Sequence, residues 1–113
     1  MLRNDEKVRS ISAKISSTEL ELAKAYIKGA VHCFSKNSHG QKMSVRVLFG
    51  AENKDWYDTP LQVIYDYYIS KSCANAKERA AIDVGWLLKT VLAEDDSREY
   101  TETTGYTKEY SMI

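Results

Sequence analysis

Apolar positions along the chain recur at two spacings, and the switches between them outline the elements. Leu20, Ala23, Ile27, Ala30, Val31 and Phe34 fall three or four apart, which predicts an amphipathic helix over residues 18–37. Thr18 with Glu21 forms a capping-box pair at its start, and Asn37, Ser38 and Gly40 supply the stop. Met43, Val45, Val47 and Phe49 alternate at period two, predicting a short strand over 42–49, with Ser44 offering a competing cap for a single helical turn. Thr59-Pro60-Leu61-Gln62 reads as a helix start, Thr59 capping, Pro60 in the first turn and Gln62 completing the box. Leu61, Ile64, Tyr65, Tyr68 and Ile69 then give that helix, 59–71, one buried face. A turn at 72–74 leads to a second helix over 75–94, capped by Asn75 with Glu78 and striped by Ala80, Ala81, Val84, Leu87, Leu88 and Val91. Gly85 interrupts it and suggests the close approach of a neighbouring backbone. Residues 98–112 mix threonine, tyrosine and charge around Thr104-Gly105 and predict a β-hairpin.

The start of the chain is less regular. The first four or five residues are expected to fray. Val8, Ile11 and Ile15 fit a helical face, while Ile11, Ala13 and Ile15 alternate, and the extended reading is preferred for 8–15. The sum is one α+β domain over 1–113, predominantly helical, with three main helices, a central αα-hairpin and a peripheral C-terminal β-hairpin.

Composition fits that outline. The chain has 113 residues, 43% of them apolar, and one proline. No apolar block has the length of a signal peptide or a membrane span, so a cytoplasmic protein making no membrane contact is expected. Cys33 and Cys73 are too sparse for a disulfide framework and read as reduced, buried thiols. His32, Cys33, His39 and Cys73 are the soft metal-ligand candidates, but their spacing matches no zinc pattern. No nucleophile elbow and no phosphate-cradling glycine loop is present. Carboxylate pairs such as Asp55 with Asp58 read as solvated loop charges. The expectation is therefore a non-catalytic protein without metal or cofactor.

Two features point to association. The central helices carry apolar pairs off their main stripes, Val63 with Tyr67 and Ile82 with Trp86, each four apart and so adjacent on a helix surface. With Trp56 and Tyr57 from the preceding loop they form a candidate protein interface, suited to an adaptor or regulatory protein and to a homodimer. Charge supplies the second feature. Residues 1–50 carry nine Lys or Arg against four Asp or Glu, a net +5, and residues 51–113 carry seven against twelve, a net −5. The acidic hairpin region, with Asp95, Asp96, Glu99, Glu102 and Glu109 among Tyr100, Tyr106 and Tyr110, is a second candidate contact, able to imitate a phosphate backbone.

The element order resembles the winged-helix layout, which implies DNA binding as the alternative. Residues 95–113 hold two basic and five acidic residues, however, and an acidic wing repels phosphate. Under this reading the DNA contacts fall to Lys36, Lys42 and Arg46.

Overall fold

The computed structural model describes residues 1–3, 8–38, 40–50, 56–104 and 108–113. It is α+β and predominantly helical: α1 (Ser17–Asn37), α2 (Val45–Phe49), α3 (Gln62–Ser70) and α4 (Ala76–Glu94) precede β1 (Tyr100–Thr104) and β2 (Lys108–Met112). The expected turn at Gly105, Tyr106, the loop residues 51–55 with Asp55, and His39 lie outside the described residues. Among the described residues no helix is long and apolar enough to cross a membrane.

The cap of helix α1 lies two residues before the expected one. Ser16, not Thr18, is the cap: its hydroxyl accepts from the Glu19 amide at 3.1 Å, and Glu19 Oε1 accepts from the Ser16 amide at 2.8 Å. Both sites satisfy the same four-residue pattern. Only the earlier one puts Ile15 before the cap and Leu20 in the second turn, the positions of a hydrophobic staple, and both side chains pack on the core. A cap at Thr18 would give that position to Leu22, which is exposed.

The strand expected at 42–49 is a correction. Met43 makes one antiparallel bridge to Tyr110, and the chain then turns into α2. Ser44 Oγ accepts from the Val47 amide at 3.2 Å, so the competing cap prevails. The helical turn buries Phe49 and half-buries Val45 and Leu48, leaving Val47 outside.

Thr59 also works differently from expectation. It organises the turn before α3, accepting from the Leu61 amide and donating to the Trp56 carbonyl. Gln62 reaches forward to Asp66 instead of back, so no capping box forms. Asn75 stands at the N-cap of α4 without a side-chain cap bond. Ile69, expected in the buried face, is exposed, and Cys33, expected buried, lies on the surface of α1. Cys33 and Cys73 are both free thiols.

Helix α4 is the centre of the molecule. It packs against α1, α2 and α3 and buries Ala76, Ala80, Val84, Leu87, Leu88, Val91 and Leu92. Gly85 admits no close backbone: a Cβ there would meet Val45 Cγ2 at an ordinary 4.0 Å. The hairpin is equally integral and not peripheral. Its strands pair from Tyr100 opposite Met112 to Thr104 opposite Lys108, and Tyr100 and Tyr110 are buried in the core. Leu2 runs parallel beside Tyr100 and is buried, so Met1–Arg3 is docked where fraying was expected.

One buried carboxylate fastens the irregular run 8–16, which forms no strand. Asp83 on α4 accepts from the amides of Ser12 at 3.2 Å and Ala13 at 3.0 Å, and from the Tyr68 hydroxyl at 2.5 Å. Burial, together with this bond and the Asp83 charge, pushes the Tyr68 hydroxyl up to about 12.

Tyr68→Phe should lower unfolding free energy by about 2 kcal/mol, the scale of a hydrogen bond to a charged group. The folded pKa lies above the unfolded value near 10, so Tyr68 contributes fully below pH 10 and loses its contribution as pH rises towards 12. Denaturant titrations across that range should show the alkaline loss reduced in the phenylalanine variant.

Candidate functional site

Where α2, the turn at Trp56, α4 and the hairpin meet, they leave a half-open groove of about 390 Å³. Its wall on α4 is Ala81, Ile82, Gly85, Trp86 and Lys89, positions that share a face because they recur three and four apart. Val45, Arg46 and Gly50 close one side, and Glu102, Lys108 and Tyr110 close the other. Trp56 and Leu88 form the apolar floor, each 1% exposed. Trp56 is locked by its indole N–H, which donates to the Phe49 carbonyl at 3.1 Å. Gly85 keeps the middle of the α4 wall low.

The polar part of the wall is an ion network. Inward-facing positions of the hairpin are Tyr100, Glu102, Tyr110 and Met112, so one carboxylate points among apolar residues. Lys89 answers it, with Nζ 3.4 Å from Glu102 Oε1, and Lys108 lies 3.4 Å from Oε2. Lys89 also stands 5.4 Å from the Trp86 ring, and the Arg9 guanidinium lies over the same ring at 4.6 Å. Among the described residues Arg46, Lys89, Lys108 and Glu102 supply the charged part of the groove's lining. An apolar, concave surface with charged side chains at its margin can receive an apolar side chain flanked by polar groups.

The structure divides the sequence-expected site residues. Trp56, Ile82 and Trp86 converge on the groove, although Trp56 does so as a core residue and not as a free surface ring. Tyr57 follows it in the chain and is exposed. Val63 and Tyr67 do not join them. They pack against the core from α3, Tyr67 standing edge-on to Tyr68 at 5.1 Å, which corrects their expected place in one shared patch. Arg46, taken from the nucleic-acid set, lines the groove, whereas Lys36 and Lys42 are exposed elsewhere. Lys89 and Lys108 were not singled out from sequence, and Gly85 was read there as admitting a neighbouring backbone and not as part of a groove. A lysine on a helix is ordinarily solvated, and the only signal for Lys89 is its place one turn beyond Gly85, beside Trp86.

The acidic set divides too. Asp96 and Glu99 are exposed, Glu99 pairing with Arg3 at 3.2 Å. Asp95 and Glu102 have buried side chains, and Tyr100 and Tyr110 are core residues, so no continuous acidic, tyrosine-bearing surface forms from them. Asp95 is a structural hub. Its carboxylate accepts from the Ser97 amide and hydroxyl and from the Tyr100 hydroxyl at 2.9 Å. His32 Nε2 lies 3.3 Å from it and 2.8 Å from Arg98 Nη1. A single ring nitrogen cannot donate to one and accept from the other at once, so the His32 tautomer selects between them. Burial alone would raise the Asp95 carboxyl, but the Ser97 and Tyr100 hydrogen bonds outweigh it and hold the group well below the usual carboxylate range. Tyr100 is pushed up by burial and by its bond to Asp95.

Among the described residues no cluster of three or more His, Cys, Asp or Glu is arranged to hold a metal ion. No family model matches the chain, and no curated protein or solved structure matches it.

Asp95→Asn should cost about 2 kcal/mol, because it replaces a charged acceptor of two hydroxyls by a neutral one. The folded carboxyl titrates below the unfolded value near 4. Its contribution is therefore present above that value and is lost as pH falls through the folded one. Thermal unfolding from neutral pH to pH 3 should show the acid loss in the parent chain and less of it in the asparagine variant.

Proposed function

We propose that this chain is a non-catalytic adaptor or regulatory protein that works through protein contacts, and that the groove between α2, α4 and the hairpin is its contact surface. The observation that carries this reading is the convergence of Ile82 and Trp86 with Arg46 and Lys108 around one concavity floored by Trp56. Aromatic and arginine side chains around a desolvated pocket are the composition of interface hot spots. Ile82 is 55% exposed although it lies on the most buried helix of the molecule, a cost that a partner would remove. The apolar floor and walls favour a partner segment bearing an apolar or aromatic side chain. A cytoplasmic setting suits two free thiols, one of them exposed.

DNA binding through Lys36, Lys42 and Arg46 is the second reading. All three are exposed, and the Met43–Tyr110 bridge puts the segment before α2 beside the hairpin, as in a winged-helix order. Against it, α4 stands where a recognition helix would and is the buried centre of the fold.

Selection of displayed random peptides on the immobilised protein tests the first reading, with Gly85→Leu as the control that fills the groove. The expected result is a consensus built on an apolar or aromatic residue, lost on Gly85→Leu. Peptides retained equally by both proteins would remove the groove from the proposal. Anisotropy titrations with duplex DNA test the second reading: micromolar binding that weakens steeply with salt, and that charge reversal at Lys36, Lys42 and Arg46 abolishes, would put DNA first.

A further inference from the structure

We propose that the outer face of α1 is a second contact surface, and that its partner is α1 of another copy of this chain, packed antiparallel about a two-fold axis. This surface is separate from the groove, none of whose lining residues lies on α1. The buried side of α1 carries Ala23, Ile27 and Val31. On the opposite side Leu22, Tyr26, Gly29 and Cys33 recur at intervals of four, three and four, the spacing of a two-helix seam, and all four are exposed. Leu22 is 56% exposed and Tyr26 39%, and stacking on Phe49 at 5.7 Å holds the Tyr26 ring in place. The fold of a single chain makes no use of Gly29. Its φ is not positive, and a Cβ there would meet nothing within 4 Å. Glycine is the weakest helix former after proline, and what it offers a helix interior is the close approach of another backbone or ring.

Size and charge select a second copy and fix its direction. The seam is bulky at Leu22 and Tyr26 and small at Gly29 and Cys33. One antiparallel register sets Leu22 against Cys33 of the second copy and Tyr26 against Gly29 of the second copy. The two-fold axis repeats both pairings, so every bulky side chain meets a small one. A parallel copy would set Tyr26 on Tyr26 and leave Gly29 facing Gly29. The flank of the seam is polarised in the same sense. Glu21 lies near the start of α1 and Lys36 at its end, both exposed, and neither forms an ion pair with a described residue of its own chain. In the antiparallel register Glu21 of each copy falls on the same flank as Lys36 of the other, about 3 Å from it along the helix axis. The contact therefore gains two ion pairs, where a parallel one would oppose like charges. From Leu22 to Cys33 the seam is about 17 Å long, short for a permanent interface, so the dimer is a weak one.

Sedimentation equilibrium on the full chain tests the proposal, with circular dichroism to confirm that each variant is folded. The wild type should dimerise at micromolar concentrations. Gly29→Leu meets no atom of its own chain and favours the helix, yet it should weaken dimerisation at least about tenfold, because the new side chain takes the place of Tyr26 of the second copy. Glu21→Lys and Lys36→Glu should each weaken the dimer about threefold, and an equimolar mixture of the two should restore it, since each heterodimer regains both ion pairs. Cysteine reports the register, in a Cys73→Ser background. Mild oxidation of Leu22→Cys should give a covalent dimer through Cys33 of the second copy. The protein with Leu22 intact should give none, because its two Cys33 stand about 17 Å apart along the axis. A wild type that stays monomeric at millimolar concentration, a Gly29→Leu variant that dimerises as tightly as wild type, or a Cys33–Cys33 crosslink with Leu22 intact would overturn the proposal. None of these outcomes bears on the groove, which peptide selection and Gly85→Leu test separately.

Discussion

The Asp83 carboxylate is the constraint on which the arrangement of elements depends. A buried charge is costly unless hydrogen bonds replace its hydration. Here three donors from two other parts of the chain do so: two consecutive amides of the irregular N-terminal run and the Tyr68 hydroxyl of α3. The N-terminal run finds no sheet partner, and without Asp83 two of its amides would lose their acceptors. Its attachment to α4 brings Arg9 within reach of the Trp86 ring. The same carboxylate sets the spacing of α3 on α4. One side chain therefore joins the N-terminal run, the αα-hairpin and the flank of the groove.

Polar pairs do comparable work at the other end of α4. Asp95 gathers His32 of α1, Ser97 and Tyr100, so the helix end, α1 and β1 meet on one acceptor. Glu102 and Lys89 neutralise each other between the hairpin and α4. The two parts of the sequence, with net charges of +5 and −5, meet at the groove. Arg46 from the basic part and Lys108 with Glu102 from the acidic part border one groove. Opposite charges distant in sequence are folded together there.

The long helices were legible in the sequence because their apolar stripes are sustained: Ala23, Ile27 and Val31 in α1, and Ala80, Val84, Leu87, Leu88 and Val91 in α4, are all buried. The hairpin was legible from composition. The short segment at Met43 to Phe49 was not, since five residues of helix and a period-two strand place apolar residues at overlapping positions, and the Ser44 cap decided between them. Ser16 and Thr18 are indistinguishable as caps until the packing of Ile15 and Leu20 is known. The groove was half visible. Ile82 and Trp86 stood out as apolar residues off the stripe, but no local pattern marks Lys89 or Glu102 as buried, because their pairing spans a gap of thirteen residues. Tyr67 misled for the converse reason: an off-stripe aromatic on α3 is covered by its neighbours.

Both tryptophans of the chain border the groove, Trp56 buried and Trp86 half-buried, so their fluorescence reports directly on its occupancy. Iodide quenching of that emission, with and without an excess of a peptide selected on the protein, is the most direct test that this surface makes the contact. The expected result is quenching of Trp86 in the free protein that falls as the peptide covers it. Quenching that stays unchanged while the peptide binds would place the contact elsewhere on the molecule and contradict the assignment of the groove.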